Sequence, residues 1–129
     1  MLRIRKEQKE QLREREIRAF EEDMLKHLGI LFPAYCEAFG PAALRRMVRL
    51  GIERAARYGI VSERGVCVYI DAMFAFGRDF DTDPSIPWAG EILGRKSLET
   101  EVLRVDELVD EGLERLEEAR GLRAEEIPS

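Results

Sequence analysis

The sequence has few of the residues from which catalytic and metal centres are usually built. It contains one histidine, His27, and two cysteines, Cys36 and Cys67. One imidazole and two separated thiols are too few for a catalytic triad or for a zinc site of the usual composition. Two cysteines make no disulfide framework, which predicts two buried thiols in a cytosolic protein. No G-x-G-x-x-G or Walker loop is present. We therefore expect no enzymatic activity, no metal and no cofactor.

Long apolar runs and an excess of positive charge are also lacking. No run approaches the roughly 18 apolar residues that a membrane span needs, and the N-terminus lacks the apolar segment of a secretory signal peptide. The net charge of −5 argues against a nucleic-acid binder with a basic surface. The 129 residues are 45% hydrophobic and 36% charged, which is typical of one soluble domain with a highly charged exterior. We expect a cytoplasmic protein without membrane contact.

Apolar spacing predicts an all-α, single-domain bundle of about five helices over residues 1–129. The first helix should run from about Arg3 to about Leu28, with residues 1–16 as a solvated, charged extension. Gly40-Pro41 should break the chain, and a second long helix should follow to Tyr58. Further expected elements are a helix over 63–76, a short helix near Pro87 capped by Ser85, a last helix from a Ser97 cap to about Ala119, and a frayed tail over 121–129.

The segment 63–76 is apolar on nearly all sides, which predicts a helix in the centre of the fold. Ser62 is a suitable N-cap and Gly77 a suitable end. The Val, Tyr and Ile content also permits a strand over 66–70, and that alternative stays open. The length of the segment and its two end signals favour the helix.

An acidic turn follows this helix and leads to the only tryptophan. Its aspartates, Asp79, Asp81 and Asp83, resemble the opening of a calcium loop. The resemblance fails where the loop needs Gly and then Glu, because Pro84 and Gly90 occupy those positions. The turn is then either a capped loop paired with arginines or a rigid contact surface, and we predict the second. The predicted partner-binding residues are Arg78, Asp79, Asp81, Asp83 and Trp88.

Five arginines on the second long helix give it a basic character. They are Arg45, Arg46, Arg49, Arg54 and Arg57, with Glu53 as the single acid among them. One interpretation is pairing with the acidic last helix inside the molecule. The other is a basic face, formed by Arg45, Arg46, Arg49 and Arg57, that grips nucleic acid or an acidic protein. The helix has no Asn or Gln to read bases, which weakens the nucleic-acid alternative.

Four segments carry a resemblance to a known group of proteins. HLGILFP, GIERAARYGIVSE, YIDAMFAFGRDFD and PWAGEIL, between about Met24 and Leu93, resemble small bacterial helical proteins encoded near type VI secretion spike and effector genes. The resemblance implies an accessory, adaptor or immunity role in a bacterial cytoplasm. No catalytic residue is carried over, because none is known to us in that group.

The sequence as a whole predicts a non-enzymatic, protein-binding accessory or adaptor module, whose partner would be a secretion effector or spike component. A homo-oligomer formed through the N- or C-terminal helix is also compatible with the pattern. Three alternatives remain open at this point. They are an immunity protein that neutralises a toxin, an ion-dependent protein or small enzyme that uses the turn from Asp79 to Asp83, and a nucleic-acid binder that uses the arginine helix.

Overall fold

The computed structural model describes residues 6–95 and 100–126, and their side chains over 13–95 and 100–121. The described residues form five helices and no strand, which confirms the predicted all-α class and excludes the strand alternative over 66–70. The helices are α1 (Lys6–Leu31), α2 (Pro33–Arg57), α3 (Glu63–Phe76), α4 (Pro87–Leu93) and α5 (Glu101–Glu126). None of these helices combines the length and the hydropathy that a bilayer span requires.

The chain divides into two compact units, Met1–Leu50 and Gly51–Ser129. The prediction of a single domain over 1–129 therefore stays a prediction. The two units differ in charge. The first has eleven Lys and Arg against eight Asp and Glu, a net charge of +3, whereas the second has ten against eighteen, a net charge of −8. Strong acidity is thus a property of the second unit alone.

In the first unit, α1 and the start of α2 follow each other almost without a gap. The helix α1 ends at Leu31, later than predicted, because Gly29 stays helical and the Phe32 amide still bonds to the Leu28 carbonyl at 2.7 Å. The predicted start at Arg3 lies outside the described residues. The predicted break before Pro41 is confirmed, since Gly40 has φ 75° and ψ 165° within α2. Positive φ is readily available only to glycine.

The ends of α2 and α3 follow the predicted capping chemistry. Gly59 has φ 74°, the Gly59 amide bonds to the Ala56 carbonyl and the Ile60 amide to the Ala55 carbonyl, and Ile60 is buried. This is the glycine-terminated helix end with its apolar contact. At the start of α3, the Ser62 hydroxyl accepts a hydrogen bond from the Gly65 amide at 3.0 Å. Local sequence therefore sets the bounds of these helices.

The core of the second unit is built around α3, which packs on α5, as α4 also does. The α3 residues that are buried are Gly65, Val66, Tyr69, Ile70, Ala72, Met73 and Phe74. The α5 residues Val105 and Leu108 are buried as well. A Cβ on Gly51 would overlap the side chain of Ile70, so the last turns of α2 approach α3 closely, as the small residue there predicts.

Two predicted helix starts are wrong. Ser85 does not cap α4, because its hydroxyl and its amide both donate to Asp83 and Ile86 occupies the cap position. The last helix begins at Glu101, after the predicted point, and the Thr100 hydroxyl accepts from the Leu103 amide at 3.4 Å. Ser97 lies outside the described residues. The helix also continues through Gly121 to Glu126, and the predicted frayed tail over 121–129 stays a prediction.

Candidate functional site

The acidic turn is tied to α2 through Asp79. Its carboxylate accepts a hydrogen bond at 2.7 Å from the Arg54 guanidinium, which also donates to the Arg78 carbonyl at 2.8 Å. The pairing of this turn with an arginine of the second long helix is thereby confirmed. An ion pair that also holds a backbone carbonyl positions the turn, so Asp79 is already occupied within the protein.

Asp81 is held by a tyrosine. The Tyr58 hydroxyl donates to Asp81 Oδ2 at 2.6 Å, and the Tyr69 ring lies 6.2 Å from the Tyr58 ring and 4.9 Å from the Phe80 ring. Burial, followed by the hydrogen bond to Asp81, raises the pKa of Tyr58 to about 12. Burial likewise raises the pKa of Tyr69, with Asp81 adding to the effect. Both phenols are therefore protonated at neutral pH and supply no phenolate for general-base chemistry.

Asp83 closes the turn on itself. Its Oδ1 accepts from the Ser85 amide at 2.9 Å and from the Ser85 hydroxyl at 2.7 Å. These hydrogen bonds hold the pKa of Asp83 below its usual value. Each of the predicted aspartates therefore accepts a hydrogen bond from its own unit, which offsets their mutual repulsion without an ion.

Trp88 is half-buried, and its ring meets Phe76 edge-on at 5.2 Å between centroids. The Phe76 ring in turn lies against α5, since a Cβ on Gly112 would be 3.5 Å from it. Arg78 is exposed. The structure therefore places Trp88 at the end of the α5 core, while the three aspartates are engaged elsewhere in the same unit. The assignment of these five residues to a partner stays a prediction.

The arginines of α2 in the first unit face acids of α1. Arg45 donates to Glu22 at 2.5 Å and to Glu21 at 3.5 Å, and Arg49 donates to Glu14 at 3.3 Å and to Glu21. Glu21 is buried between them.

The prediction that these arginines pair with the last helix is therefore wrong for Arg45 and Arg49, and also for Arg54, which binds Asp79. The α1 acids recur at helical spacing and could have indicated the alternative. Arg46 and Arg57 are exposed, so only part of the predicted basic face is open to a ligand.

The Cys67 thiol is a poor nucleophile. Burial raises its pKa to about 11, and the Asp71 carboxylate, whose Oδ2 lies 3.9 Å from Sγ, adds to the rise. The thiolate is the reactive form of cysteine, and at neutral pH it is scarce at such a pKa. Cys67 and Cys36 are both half-buried rather than fully buried as predicted.

The second half of α5 was predicted only as part of a homo-oligomer surface on the C-terminal helix, and none of its residues was named as a site. The buried face of α5 ends at Gly112, and every side chain from Leu113 to Gly121 is exposed. We call Val109, Leu113 and Leu116 the α5 stripe. Val109 is half-buried, whereas Leu113 is 57% and Leu116 is 42% exposed. Spacings of three and four residues place them on one side of the helix, so the apolar face continues past the core that it serves.

The α5 stripe is bordered by acids. Asp110 and Glu117 are the helical neighbours of Leu113 at spacings of three and four residues, and Glu114 follows Asp110 by one turn. Arg115 is bound on its own helix by Glu111 at 2.9 Å and by Glu118 at 3.8 Å. Among the described residues, no cation lies within ion-pair distance of Asp110, Glu114 or Glu117.

A second exposed apolar surface lies in the first unit, where α1 meets α2. Its members are Ile30, Leu31, Tyr35 and Phe39, and the Tyr35 and Phe39 rings are parallel with centroids 6.0 Å apart. Fewer charged residues lie near this surface in the sequence than near the α5 stripe, so its charges do not indicate the chemistry of a partner.

No protein-family model matches the chain, and neither a curated protein nor a solved structure proved similar to it. The relation to proteins of type VI secretion therefore stays a prediction from the sequence.

Proposed function

We propose that this protein is a non-enzymatic protein-binding module and that its second unit makes the contact through the α5 stripe. The observation that carries the proposal is the exposure of Leu113 and Leu116 on an apolar face whose first half is buried. A helix gains little from holding two large side chains in water, whereas full burial of an exposed leucine contributes roughly 1.5–3 kcal/mol, of which about half remains to be gained at Leu113 and Leu116. Apolar surface with a charged border is typical of protein interfaces.

The alternative functions draw less support from the same geometry. An ion site in the turn would compete with Arg54 for the charge of Asp79 and with Ser85 for that of Asp83. A nucleic-acid grip on α2 would have to displace the acids that bind Arg45 and Arg49. Competition with these internal hydrogen bonds and ion pairs lowers the affinity of an ion for the turn and of a nucleic acid for α2.

The resemblance over Met24 to Leu93 adds a more specific proposal about the partner. It would make the module an accessory or adaptor protein and the partner a secretion effector or spike component. The identity of a crosslinked partner tests this point separately from the location of the contact surface.

Site-specific photo-crosslinking in the cells that naturally produce the protein tests the proposed surface. A photoreactive amino acid replaces Leu113 in one variant and Leu103 in a matched control, which is equally exposed and about 15 Å away along α5. We expect a discrete protein adduct from position 113, its loss when Leu116→Ser is added, and no such adduct from position 103. Adducts of equal yield from both positions, or none from position 113, would contradict the proposal.

A further inference from the structure

We infer that the partner segment that covers the α5 stripe is a basic amphipathic helix. This inference rests on the proposed function and specifies the chemistry of the ligand. Two features carry it, namely the exposed stripe itself and the acids along its border, which have no cation at ion-pair distance among the described side chains. A partner helix with leucines at three- and four-residue spacing would bury the α5 stripe. Lys or Arg beside those leucines would neutralise the carboxylates on its border.

The acids near the stripe repel each other in the free protein. Asp110 and Glu114 are four residues apart, as are Glu114 and Glu118, and like charges at this spacing destabilise a helix. Residues 109–121 contain five acids against two arginines, a net charge of −3. Cations from a partner would remove this repulsion and also gain direct charge pairs. The second unit, with its net charge of −8, attracts a basic segment from a distance as well.

The same charges argue against a second copy of α5 as the occupant. Two identical stripes packed together would bring the acids of one helix against those of the other. Arg115 offers little relief, because Glu111 and Glu118 on its own helix already bind it, and Arg120 is then the one other cation against the five acids of residues 109–121. Charge patterns beside an apolar seam select partners in this way in coiled coils.

The stripe also adjoins the half-buried aromatic pair of the second unit. Gly112 lies one residue before Leu113 and faces the Phe76 ring, which is in edge contact with Trp88. Phe76 therefore lies beside the residue that precedes Leu113, and Trp88, predicted from the sequence as an interface residue, contacts that ring.

A binding titration of the full-length protein with two synthetic peptides tests the inference. Both peptides have about 14 residues, enough for about four helical turns, and the same leucine spacing. One carries Lys and Arg beside the leucines and the other carries Glu. Fluorescence anisotropy of a dye on each peptide gives the dissociation constants. We expect the basic peptide to bind at least about tenfold more tightly, with a preference that falls when the ionic strength is raised.

Variants of the protein locate the binding site. Leu113→Ser combined with Leu116→Ser should weaken the basic peptide at least about tenfold, since it removes the apolar anchors. Leu103→Ser is the matched control and should leave the affinity unchanged. Asp110→Asn combined with Glu117→Gln should reduce the preference for the basic peptide without abolishing binding. Circular dichroism of each variant confirms that the helices are intact.

Different failures have different meanings. Equal affinity for the two peptides, or equal loss with the control variant, would overturn the basic-helix inference and leave the crosslinking result untouched. Sedimentation that shows a dimer dissociated by Leu113→Ser with Leu116→Ser would also overturn it, because a second copy would then be the occupant. An adduct at position 113 that maps to a non-basic segment would support the proposed function and contradict the inference.

Discussion

Arg104 connects three helices of the second unit. Its guanidinium is almost fully buried and donates to the Tyr58 carbonyl at 2.6 Å and to the Leu93 carbonyl at 3.0 Å. These carbonyls lie at the C-terminal ends of α2 and α4, where helices leave acceptors unsatisfied and carry partial negative charge. One side chain of α5 therefore satisfies the ends of two other helices.

Replacement of Arg104 by alanine should destabilise the protein by about 2–4 kcal/mol, because two carbonyls lose a charged donor in a buried place. Arg104→Lys should restore part of the loss, because the single nitrogen Nη1 donates both hydrogen bonds and an ammonium can also donate to two carbonyls. Arg115→Ala is the control on the same helix and should stay within about 0.5 kcal/mol. Urea unfolding followed by circular dichroism measures all three. Equal midpoints for Arg104→Ala and Arg115→Ala would contradict the role assigned to Arg104.

At the scale of the elements, the acidic turn and α4 are in backbone contact. A Cβ on Gly90 would lie 2.7 Å from the carbonyl oxygen of Asp81, which is closer than side-chain carbons approach. Glycine at this place in α4 is therefore a requirement of the turn that packs on it. Gly121 in α5 is the opposite case, because nothing lies within 4 Å of its added Cβ.

Gly90→Ala should destabilise the protein by about 1–3 kcal/mol, since the turn must move away from α4. Gly121→Ala should have the opposite sign and stabilise α5 by about 0.5–1 kcal/mol through helix propensity alone. Thermal melting should show a lower melting temperature than the parent protein for Gly90→Ala and a higher one for Gly121→Ala. A stable Gly90→Ala protein would mean that the turn adjusts to the new methyl group at no cost.

The sequence predicted those elements whose ends depend on neighbouring residues. Ser62, Gly59 and Gly77 set their helix bounds through local hydrogen bonds and φ angles, so the pattern alone was sufficient. The error at Ser85 has a different origin, because Asp83 competes for its hydroxyl and its amide. Capping preference does not show which of two local acceptors wins.

The candidate site was less predictable than the helices. The apolar periodicity of α5 was visible, but periodicity does not tell where a core ends, and only the packing of Phe76 near Gly112 shows that Leu113 lies beyond it. The partners of the α2 arginines also depend on tertiary placement. Two acidic helices were available in the sequence, and α1 rather than α5 supplies the acids for Arg45 and Arg49.

At the scale of the whole molecule, acid should weaken both units. Hydrogen bonds from Arg49 lower the pKa of Glu14, and those from Ser85 lower the pKa of Asp83. Burial opposes ionisation of Glu101, but hydrogen bonds from Ser62 and from the Val61 amide outweigh it and lower its pKa. A lowered pKa in the folded state gives stability that is present above the unfolded value and lost as the pH falls through the folded one.

We therefore expect a melting temperature that declines once the pH falls below the ordinary carboxyl values of 3.8 to 4.5. Glu101→Gln should melt lower at neutral pH and decline less steeply in acid, because its contribution no longer titrates. Glu117→Gln, an exposed change on the same helix, should follow the parent protein. Melting curves measured by circular dichroism across this pH range provide the comparison. Parallel curves for the parent and Glu101→Gln would contradict the assignment.

The edge contact between Trp88 and Phe76 has an optical consequence. Because the chain has one tryptophan, its indole emission comes from a single place, beside the ring that faces Gly112. An indole that is half-buried in the free state emits at a wavelength set by the water around it. A segment that covered the α5 stripe and extended over the Phe76–Trp88 pair would exclude some of that water and shift the emission to the blue. Tryptophan fluorescence would then report binding without a dye.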